Sequence, residues 1–231
     1  MIGFWNLVEN YDATIAKTTP ERLRAIDLPL LELCTGGKRV LGIGCGTARF
    51  RKPVEKAGCQ YVGIDPSLKL LQEGAARGES NLVRGAGEYL PFPDGCFDVV
   101  IGGYWAFLFI QLDKLYPECA RVLRPGGTMA FTLLNKWASS LNSFAVNVRR
   151  KRFHTTKHHY ETFNELDSPV REIRRLARFG FTVELILSTR NVPLLRSRRP
   201  FSNYFGWQGY WRGVPGALVG YDVIFICKRQ T

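Results

Sequence analysis

The chain lacks any apolar run long enough to cross a membrane, and it lacks closely spaced cysteines. Its longest apolar stretch, residues 101–110, contains two glycines, whereas a spanning helix needs about 20 apolar residues. The first residues show no basic segment followed by an apolar run and a cleavage site, so secretion is not expected. The six cysteines form no C-x-x-C pair. We therefore expect reduced thiols, no metal site and a cytoplasmic location.

Acidic residues are missing from two segments, 128–160 and 185–221, and these segments carry +11 of the net charge of +12. The rest of the chain is nearly neutral. Unbalanced basic charge attracts anions, so an anionic substrate, nucleic acid and peripheral contact with a membrane all stay open. Within the second segment, residues 190–218 also contain six aromatic residues among the arginines. Such a mixture is suited to stacking on a planar substrate, and it is equally compatible with the core of an insertion.

A glycine-rich turn organises the first half of the chain. Residues 40–43 form a short apolar run that predicts a buried strand, and Gly44 and Gly46 follow it before a predicted helix. Glycine permits backbone conformations that a Cβ would block, and a helix N-terminus offers unpaired N–H groups. The pattern therefore predicts a nucleotide pocket at the end of the first parallel strand. A dinucleotide is disfavoured, because Arg49 stands where the fingerprint needs a small residue.

Strands and helices alternate up to residue 134, which favours a parallel sheet with helices on both faces. An N-terminal helical region is expected over residues 4–35. Later in the chain, two strands without a crossover helix suggest an antiparallel hairpin at the sheet edge. The predicted strands cover residues 39–43, 60–64, 82–83, 97–101, 128–134, 181–189 and 221–228. The predicted helices after the N-terminal region lie around 51–57, 68–78, 112–123 and 169–179.

Two further stretches complete the predicted pocket. Asp65 ends the second strand, 19 residues after Gly46, and a carboxylate there can accept hydrogen bonds from both hydroxyls of a ribose. The alternative is an aspartate that only shapes the turn before Pro66. Residues 85–92 follow the third strand, where the main chain can border an adenine and nearby apolar side chains can cover it.

Four motifs carry a family resemblance: VLGIGCGTARF, YVGIDPSLKLL, VRGAGEYLPFPDGCFDVVIGG and ECARVLRPGGTMAFT. In their order and spacing, over residues 38–134, they resemble the class I S-adenosylmethionine-dependent methyltransferases, of the small-molecule type that includes quinone and sterol methyltransferases. The resemblance implies an α/β fold, a Rossmann-like doubly wound sheet of seven strands in the order 3-2-1-4-5-7-6 with strand 7 antiparallel. It also implies S-adenosyl-L-methionine as the cofactor.

The resemblance further implies a single domain over residues 1–231, with the cofactor-binding core at 36–134. The basic and aromatic segments 135–165 and 190–218 would then frame the acceptor site. Glycines of the turn would lie beside the methionine and ribose, Asp65 on the ribose, and a tyrosine near the N-terminus would act as a lid. The residues that the resemblance assigns to the cofactor are Gly42, Gly44, Cys45, Gly46, Asp65, Pro66, Gly87, Glu88, Gly103 and Tyr11.

Three positions depart from the family pattern. The family usually has an acid where this chain has Gly42, a third glycine where it has Ala48, and often an acid at Ala86. The acid at the first position helps to hold the methionine end, and losing a polar anchor costs about 1–3 kcal/mol. We therefore expect weak binding, compensation elsewhere or a degenerate site. If a carboxylate is simply missing, Gly42→Asp should tighten binding.

The catalytic residues are the least constrained prediction. Methyl transfer depends mainly on alignment of the acceptor with the methyl donor, so a base is not required. The candidates for a base are His158, His159 and Tyr104, and the histidines are equally compatible with solvent-exposed positions.

Three function hypotheses follow. The first is methyl transfer to O, N or C of a small, partly apolar acceptor, which the basic segments allow to be anionic. The second is an RNA methyltransferase, motivated by the net charge of +12, with steeply salt-dependent RNA affinity. The third is a non-catalytic protein of the same fold, motivated by Gly42 and Ala86. The sequence does not indicate an oligomeric state.

Overall fold

A computed structural model describes residues 20–104, 106–136, 166, 168–189, 210–213 and 222–231. Within these ranges five α-helices and eight strands follow one another in nearly the predicted places. The helices are α1 (Pro20–Leu31), α2 (Arg51–Lys56), α3 (Leu68–Ala76), α4 (Leu112–Val122) and α5 (Pro169–Arg178), with a short 3-10 helix at Ala106–Phe109. The first part of the predicted N-terminal helical region lies outside the described residues.

The strands form one sheet in the order β3-β2-β1-β4-β5-β8-β6-β7. Seven of them reproduce the predicted order, in which the final strand is antiparallel to both of its neighbours. The strands are β1 (Arg39–Ile43), β2 (Gln60–Asp65), β3 (Leu82–Arg84), β4 (Phe97–Gly102), β5 (Leu123–Leu134), β6 (Phe181–Thr189), β7 (Tyr210–Arg212) and β8 (Asp222–Arg229).

The late strands add one element to the sequence prediction. The three-residue β7 was not predicted, and it pairs antiparallel with the end of β6. The expected antiparallel pairing of β6 with β8 is present, and β8 lies between β5 and β6, where the predicted strand order places it. The first six of its eight residues are buried, so this strand is stable only where neighbours cover it.

Residues 125–127 form a bulge inside β5. Phe97 pairs with Leu123, whereas Val99 pairs with Thr128, so β5 carries extra residues at this point. Gly126 has a φ of 72°, a left-handed conformation that favours glycine. The exposed residues of β5 lie at the bulge, and the pairing is regular again from Thr128, in the buried part of the strand.

Apolar side chains fill both faces of the sheet. On one face the rings of Phe107, Phe131 and Phe225 stack, with centroid distances of 4.7 Å and 5.4 Å between successive rings. On the other face Ile26 and Leu30 of α1 pack in a cluster that includes Tyr61. Covering both faces is what parallel strands require. Because β1, β2, β4 and β5 are parallel, their carboxyl ends lie at the same edge of the sheet.

Candidate functional site

A pocket of about 290 Å³ opens at the carboxyl ends of β1 and β2, with the 3-10 helix on its other side. This is where the strand order of a doubly wound sheet reverses and where such folds bind ligands. Most of its wall is apolar. The apolar side chains that line it are Ile43, Ile64, Leu70, Ala106, Phe109 and Ile110.

Seven of the residues singled out in the sequence line this pocket, although they come from four separate loops. They are Gly44, Gly46, Asp65, Pro66, Gly87, Glu88 and Tyr104. Three others, Gly42, Cys45 and Gly103, are described by the structure but are not among its lining residues. Tyr11, His158 and His159 lie outside the described residues, so their roles stay predictions.

The glycine turn is built from alternating left-handed residues. Gly44, Gly46 and Ala48 have φ angles of 62°, 55° and 62°. A Cβ on Gly44 would also collide with the side chain of Ala106. The 3-10 helix therefore approaches the turn so closely that position 44 has room only for glycine.

Four residues separate the last glycine of the turn from the next helix. The helix α2 begins at Arg51, where the sequence predicts it, and has six residues. The N–H groups of the turn are used inside the protein: Cys45 donates to the carbonyl of Ile64 at 3.1 Å, and Gly46 donates to Asp65 at 2.8 Å. The turn is thus fastened to the end of β2.

Asp65 is one of the two carboxylates that line the pocket, together with Glu88. One carboxylate oxygen accepts from the N–H of Gly46 and the other accepts from the N–H of Ser67, both at 2.8 Å. Each carboxylate oxygen has two lone pairs, so the group can accept two further bonds. Burial raises the pKa of Asp65, while the two N–H donors oppose that rise. Asp65 therefore shapes its turn and also keeps the acceptor capacity that two ribose hydroxyls need.

The segment after β3 is held against the start of α4. A Cβ on Gly87 would lie 3.0 Å from Leu115 Cδ1 and 3.1 Å from Ile110 Cδ1, so a small residue lets the main chain approach the pocket wall. Glu88 Oε1 accepts a hydrogen bond from the N–H of Gln111 at 3.0 Å. Glu88 therefore satisfies an N–H at the beginning of α4, a role that the sequence did not indicate.

Arg121 and Glu118 of α4 fix the same segment from behind, and sequence reasoning missed both. Arg121 makes five hydrogen bonds of 2.7–2.8 Å. Two of them reach the carbonyls of Leu90 and Phe92. Glu118 in turn accepts from the N–H of Leu90 at 2.7 Å. Five bonds use the whole donor set of a guanidinium, so this side chain clamps the loop that borders the pocket.

Tyr104 lines the pocket while its hydroxyl is engaged. It has a φ of 50°, and its hydroxyl donates to Asp27 Oδ1 of α1. Arg49 pairs with the other oxygen of Asp27 at 2.7 Å, and its guanidinium lies 5.0 Å from the centroid of the Tyr104 ring. Asp27 is thus a further residue of the site. Nothing in the sequence pointed to it, because 77 residues separate it from Tyr104.

The predicted residues that do not line the pocket are Gly42, Cys45 and Gly103, and each is in close contact with a neighbouring residue. A Cβ on Gly103 would lie 2.6 Å from the Phe50 ring, and a Cβ on Gly63 would lie 2.7 Å from Cys45 Sγ. Burial raises the pKa of the Cys45 thiol far above its ordinary value, so this thiol stays protonated. Gly42 lies against the Tyr61 ring.

Other kinds of site are not found in the described ranges. No group of three or more His, Cys, Asp or Glu side chains there could hold a metal ion. All six cysteines are free thiols. None of the helices in the described part of the chain combines the length and the apolar composition needed to span a bilayer.

Comparison with known proteins agrees with this geometry. Residues 41–131 match the model of a methyltransferase domain family. An uncharacterized methyltransferase of Mycobacterium sp. (strain JLS) is 30% identical over 145 residues, which cover 59% of this chain and 57% of the relative. A ubiquinone biosynthesis O-methyltransferase of Bradyrhizobium diazoefficiens is 31% identical over 113 residues, or 46% of this chain and 44% of that protein.

A solved structure supports the fold over the whole length. A SAM-dependent methyltransferase of Thermotoga maritima superposes with a TM-score of 0.68 at 19% identity, covering 98% of both chains. At that identity the likeness concerns the fold alone. The sequence matches are shorter, since the chain spans 44–57% of the length of the two curated relatives.

Proposed function

We propose that this chain is a class I S-adenosylmethionine-dependent methyltransferase that transfers a methyl group to O, N or C of a small, partly apolar acceptor. Residues 41–131 match a methyltransferase domain family, and a methyltransferase relative is 30% identical over 145 residues. The observation that carries the proposal is Asp65, a buried carboxylate bonded to the glycine turn with capacity for two more hydrogen bonds. A ribose diol supplies two donors at the spacing of one carboxylate. The apolar wall around it suits an adenine.

Different residues of the pocket are proposed to contact different parts of the cofactor. Asp65 accepts from the ribose hydroxyls, while Ile64, Leu70 and Ile110 border the adenine. Gly44 and Gly46 leave room for the methionine end near Tyr104. When bound, S-adenosylmethionine supplies an electrophilic methyl group on a positively charged sulfur. The contribution of the protein is then to align the acceptor with that methyl and to exclude water.

The acceptor is proposed to enter from the same edge of the sheet, beyond the end of β5. Polar side chains are buried there: Thr189 Oγ1 donates to Asp222 Oδ2 at 3.0 Å. Ser188, which precedes Thr189, is also buried, as is Asn135, which follows the strand partner of Asp222. The strands β5 and β6 both end at this edge. The acid-free segments continue the chain from these two strand ends, and their basic charge supports an acceptor that carries negative charge.

Tyr104 is proposed to position ligands and not to remove a proton. Its own proton is directed to Asp27, so it can act as a base only if Asp27 takes that proton first. Alignment alone supplies most of the rate in a transfer from a charged sulfur. The roles of His158 and His159 as alternative bases stay predictions.

The test is transfer of labelled methyl groups from S-adenosylmethionine into fractionated cell extract. We expect label in the small-molecule fraction with the wild type and none with Asp65→Ala. Label confined to RNA, with an affinity that falls steeply with salt, would support the RNA alternative. Cofactor binding without label in any fraction would support a non-catalytic protein of this fold and contradict the proposal.

A further inference from the structure

A buried tyrosine hydroxyl near the pocket has no partner. Tyr61 of β2 is 1% exposed, and its Oη is the one buried side-chain N or O atom without a hydrogen bond among the described residues. Leaving a buried hydroxyl unsatisfied is costly. Burial also raises the pKa of Tyr61 well above its ordinary value. The group is therefore a neutral phenol with one donor and two acceptor lone pairs unused.

The hydroxyl stands where a side chain of residue 42 would begin. A Cβ on Gly42 would lie 2.7 Å from Cζ of Tyr61 and nearer still to its Oη. Tyr61 pairs with Val40 across the two strands, and Val40 and Gly42 face the same side of β1. The tyrosine thus leans along the sheet toward its carboxyl edge. Glycine at position 42 is therefore required by the packing, because any side chain there would overlap the Tyr61 ring.

Neither Gly42 nor Tyr61 lines the pocket, but Gly42 directly precedes two residues that do. Ile43 and Gly44, the two residues after Gly42, both line the pocket. Gly42 is also the position at which related methyltransferases carry the acid that the resemblance assigns to the methionine end. The Tyr61 hydroxyl of β2 therefore lies where the family has a carboxylate on β1.

We propose that the Tyr61 hydroxyl, packed into the space left by Gly42, is the polar group that holds the methionine end of the bound cofactor, directly or through one water. The inference rests on the proposed function and assigns a positioning residue to it. A phenol can accept from the ammonium group of the cofactor or donate to its carboxylate. Gly42 and Tyr61 then form a compensating pair.

Moving the polar group back to β1 tests the pairing. Gly42→Asp alone collides with Tyr61, so we expect it to destabilise the fold and to weaken cofactor binding. This reverses the expectation drawn from the sequence. Gly42→Asp combined with Tyr61→Val makes room for the carboxylate, and we expect it to recover both stability and affinity. Tighter binding by the single variant would contradict the pairing, because it would mean that Tyr61 does not need the space.

The most direct test removes one oxygen atom and compares two ligands by calorimetry. S-adenosylhomocysteine carries the amino-acid end, whereas methylthioadenosine lacks it. We expect Tyr61→Phe to raise the Kd for S-adenosylhomocysteine on the order of tenfold and to leave the Kd for methylthioadenosine unchanged. The melting temperature should not fall, because phenylalanine removes an unsatisfied group.

Tyr116→Phe is the matched control. Tyr116 is equally buried, but its hydroxyl donates to Glu172 at 2.5 Å, so this variant should lose stability and keep the affinity for both ligands. Unchanged S-adenosylhomocysteine affinity in Tyr61→Phe would overturn the inference and leave the proposed function standing. A wild type that binds neither ligand would overturn the proposed function itself.

Discussion

At the scale of single residues, Asp65 combines burial with hydrogen bonds that favour its charge. Burial raises its pKa and the N–H groups of Ser67 and Gly46 lower it, with a net rise. The proton therefore returns at a higher pH than for an ordinary aspartic acid, whose pKa is about 3.9. A protonated carboxyl loses acceptor capacity for a ribose diol.

The first prediction is a loss of cofactor affinity in acid. As the pH is lowered, the affinity of the wild type for S-adenosylhomocysteine should begin to decline at a higher pH than an ordinary aspartic acid, with a pKa of about 3.9, would give, because the raised pKa of Asp65 lets it become protonated sooner. Asp65→Asn should bind weakly, by at least tenfold, and show no such pH dependence in calorimetry. An Asp65→Asn variant with wild-type affinity would mean that the carboxylate only shapes its turn.

Ala48 is the second informative residue. Its φ of 62° costs about 1–2 kcal/mol for a residue with a Cβ. Its methyl group is buried, which returns about 0.8 kcal/mol, and glycine would add a backbone entropy cost of about 0.5–1 kcal/mol. These terms nearly cancel, so the missing third glycine is tolerated.

Substitution of Ala48 should follow that balance. We expect Ala48→Gly to change the free energy of unfolding by less than about 1 kcal/mol. Ala48→Val should cost more than about 2 kcal/mol, since a β-branched residue is poorly compatible with positive φ. Urea unfolding of the two variants measures both values. Equal stability of the valine variant and the wild type would exclude the strain.

At the scale of elements, α4 holds the pocket loop through Arg121. The guanidinium joins the carbonyls of Leu90 and Phe92 to the carboxylates of Asp94 and Glu118. Lysine has three donors on one atom and cannot reproduce this fork. The loop that ends in these carbonyls begins with Gly85, Ala86 and Gly87 at the pocket.

Arg121→Lys should therefore loosen the loop while preserving the charge. We expect a loss of about 2 kcal/mol in the free energy of unfolding and a severalfold rise in the Kd for the cofactor. Arg124→Lys is the control, because Arg124 makes a more exposed ion pair with Asp98 and should change neither value. A variant at Arg121 with unaltered cofactor affinity would show that the clamp serves stability alone.

The contact between α1 and the pocket gives a second prediction at this scale. Tyr104→Phe removes the hydrogen bond to Asp27 and keeps the ring against Arg49. For a positioning role we expect a severalfold rise in KM for the cofactor and a fall in kcat of less than tenfold. Loss of a general base would lower kcat by about 10²–10⁴-fold, so steady-state kinetics distinguish the two roles.

At the scale of the whole molecule, local patterns predicted the sheet and the centre of the pocket. Apolar runs of strand length marked β1, β2 and β4, and the glycines together with Asp65 marked where their ends meet. The seven-strand order came from the family resemblance. Among the described strands only β7 was not foreseen, because three residues among prolines and glycines show no alternation.

The contacts between distant elements could not be predicted in this way. Asp27 meets Tyr104 across 77 residues, and Arg121 meets Leu90 across 31. In the sequence Tyr61 is an ordinary strand residue, and only the structure shows that its hydroxyl fills the space beside Gly42. Such pairs depend on how α1, α4 and β2 pack, which no local pattern contains.

The measurement that tests the central claim most directly is a calorimetric titration of S-adenosylmethionine into the wild type and Asp65→Ala. We predict one saturable binding event with the wild type and a loss of at least tenfold in affinity with the variant. No heat of binding to the wild type at millimolar S-adenosylmethionine would contradict the claim that this pocket holds the cofactor.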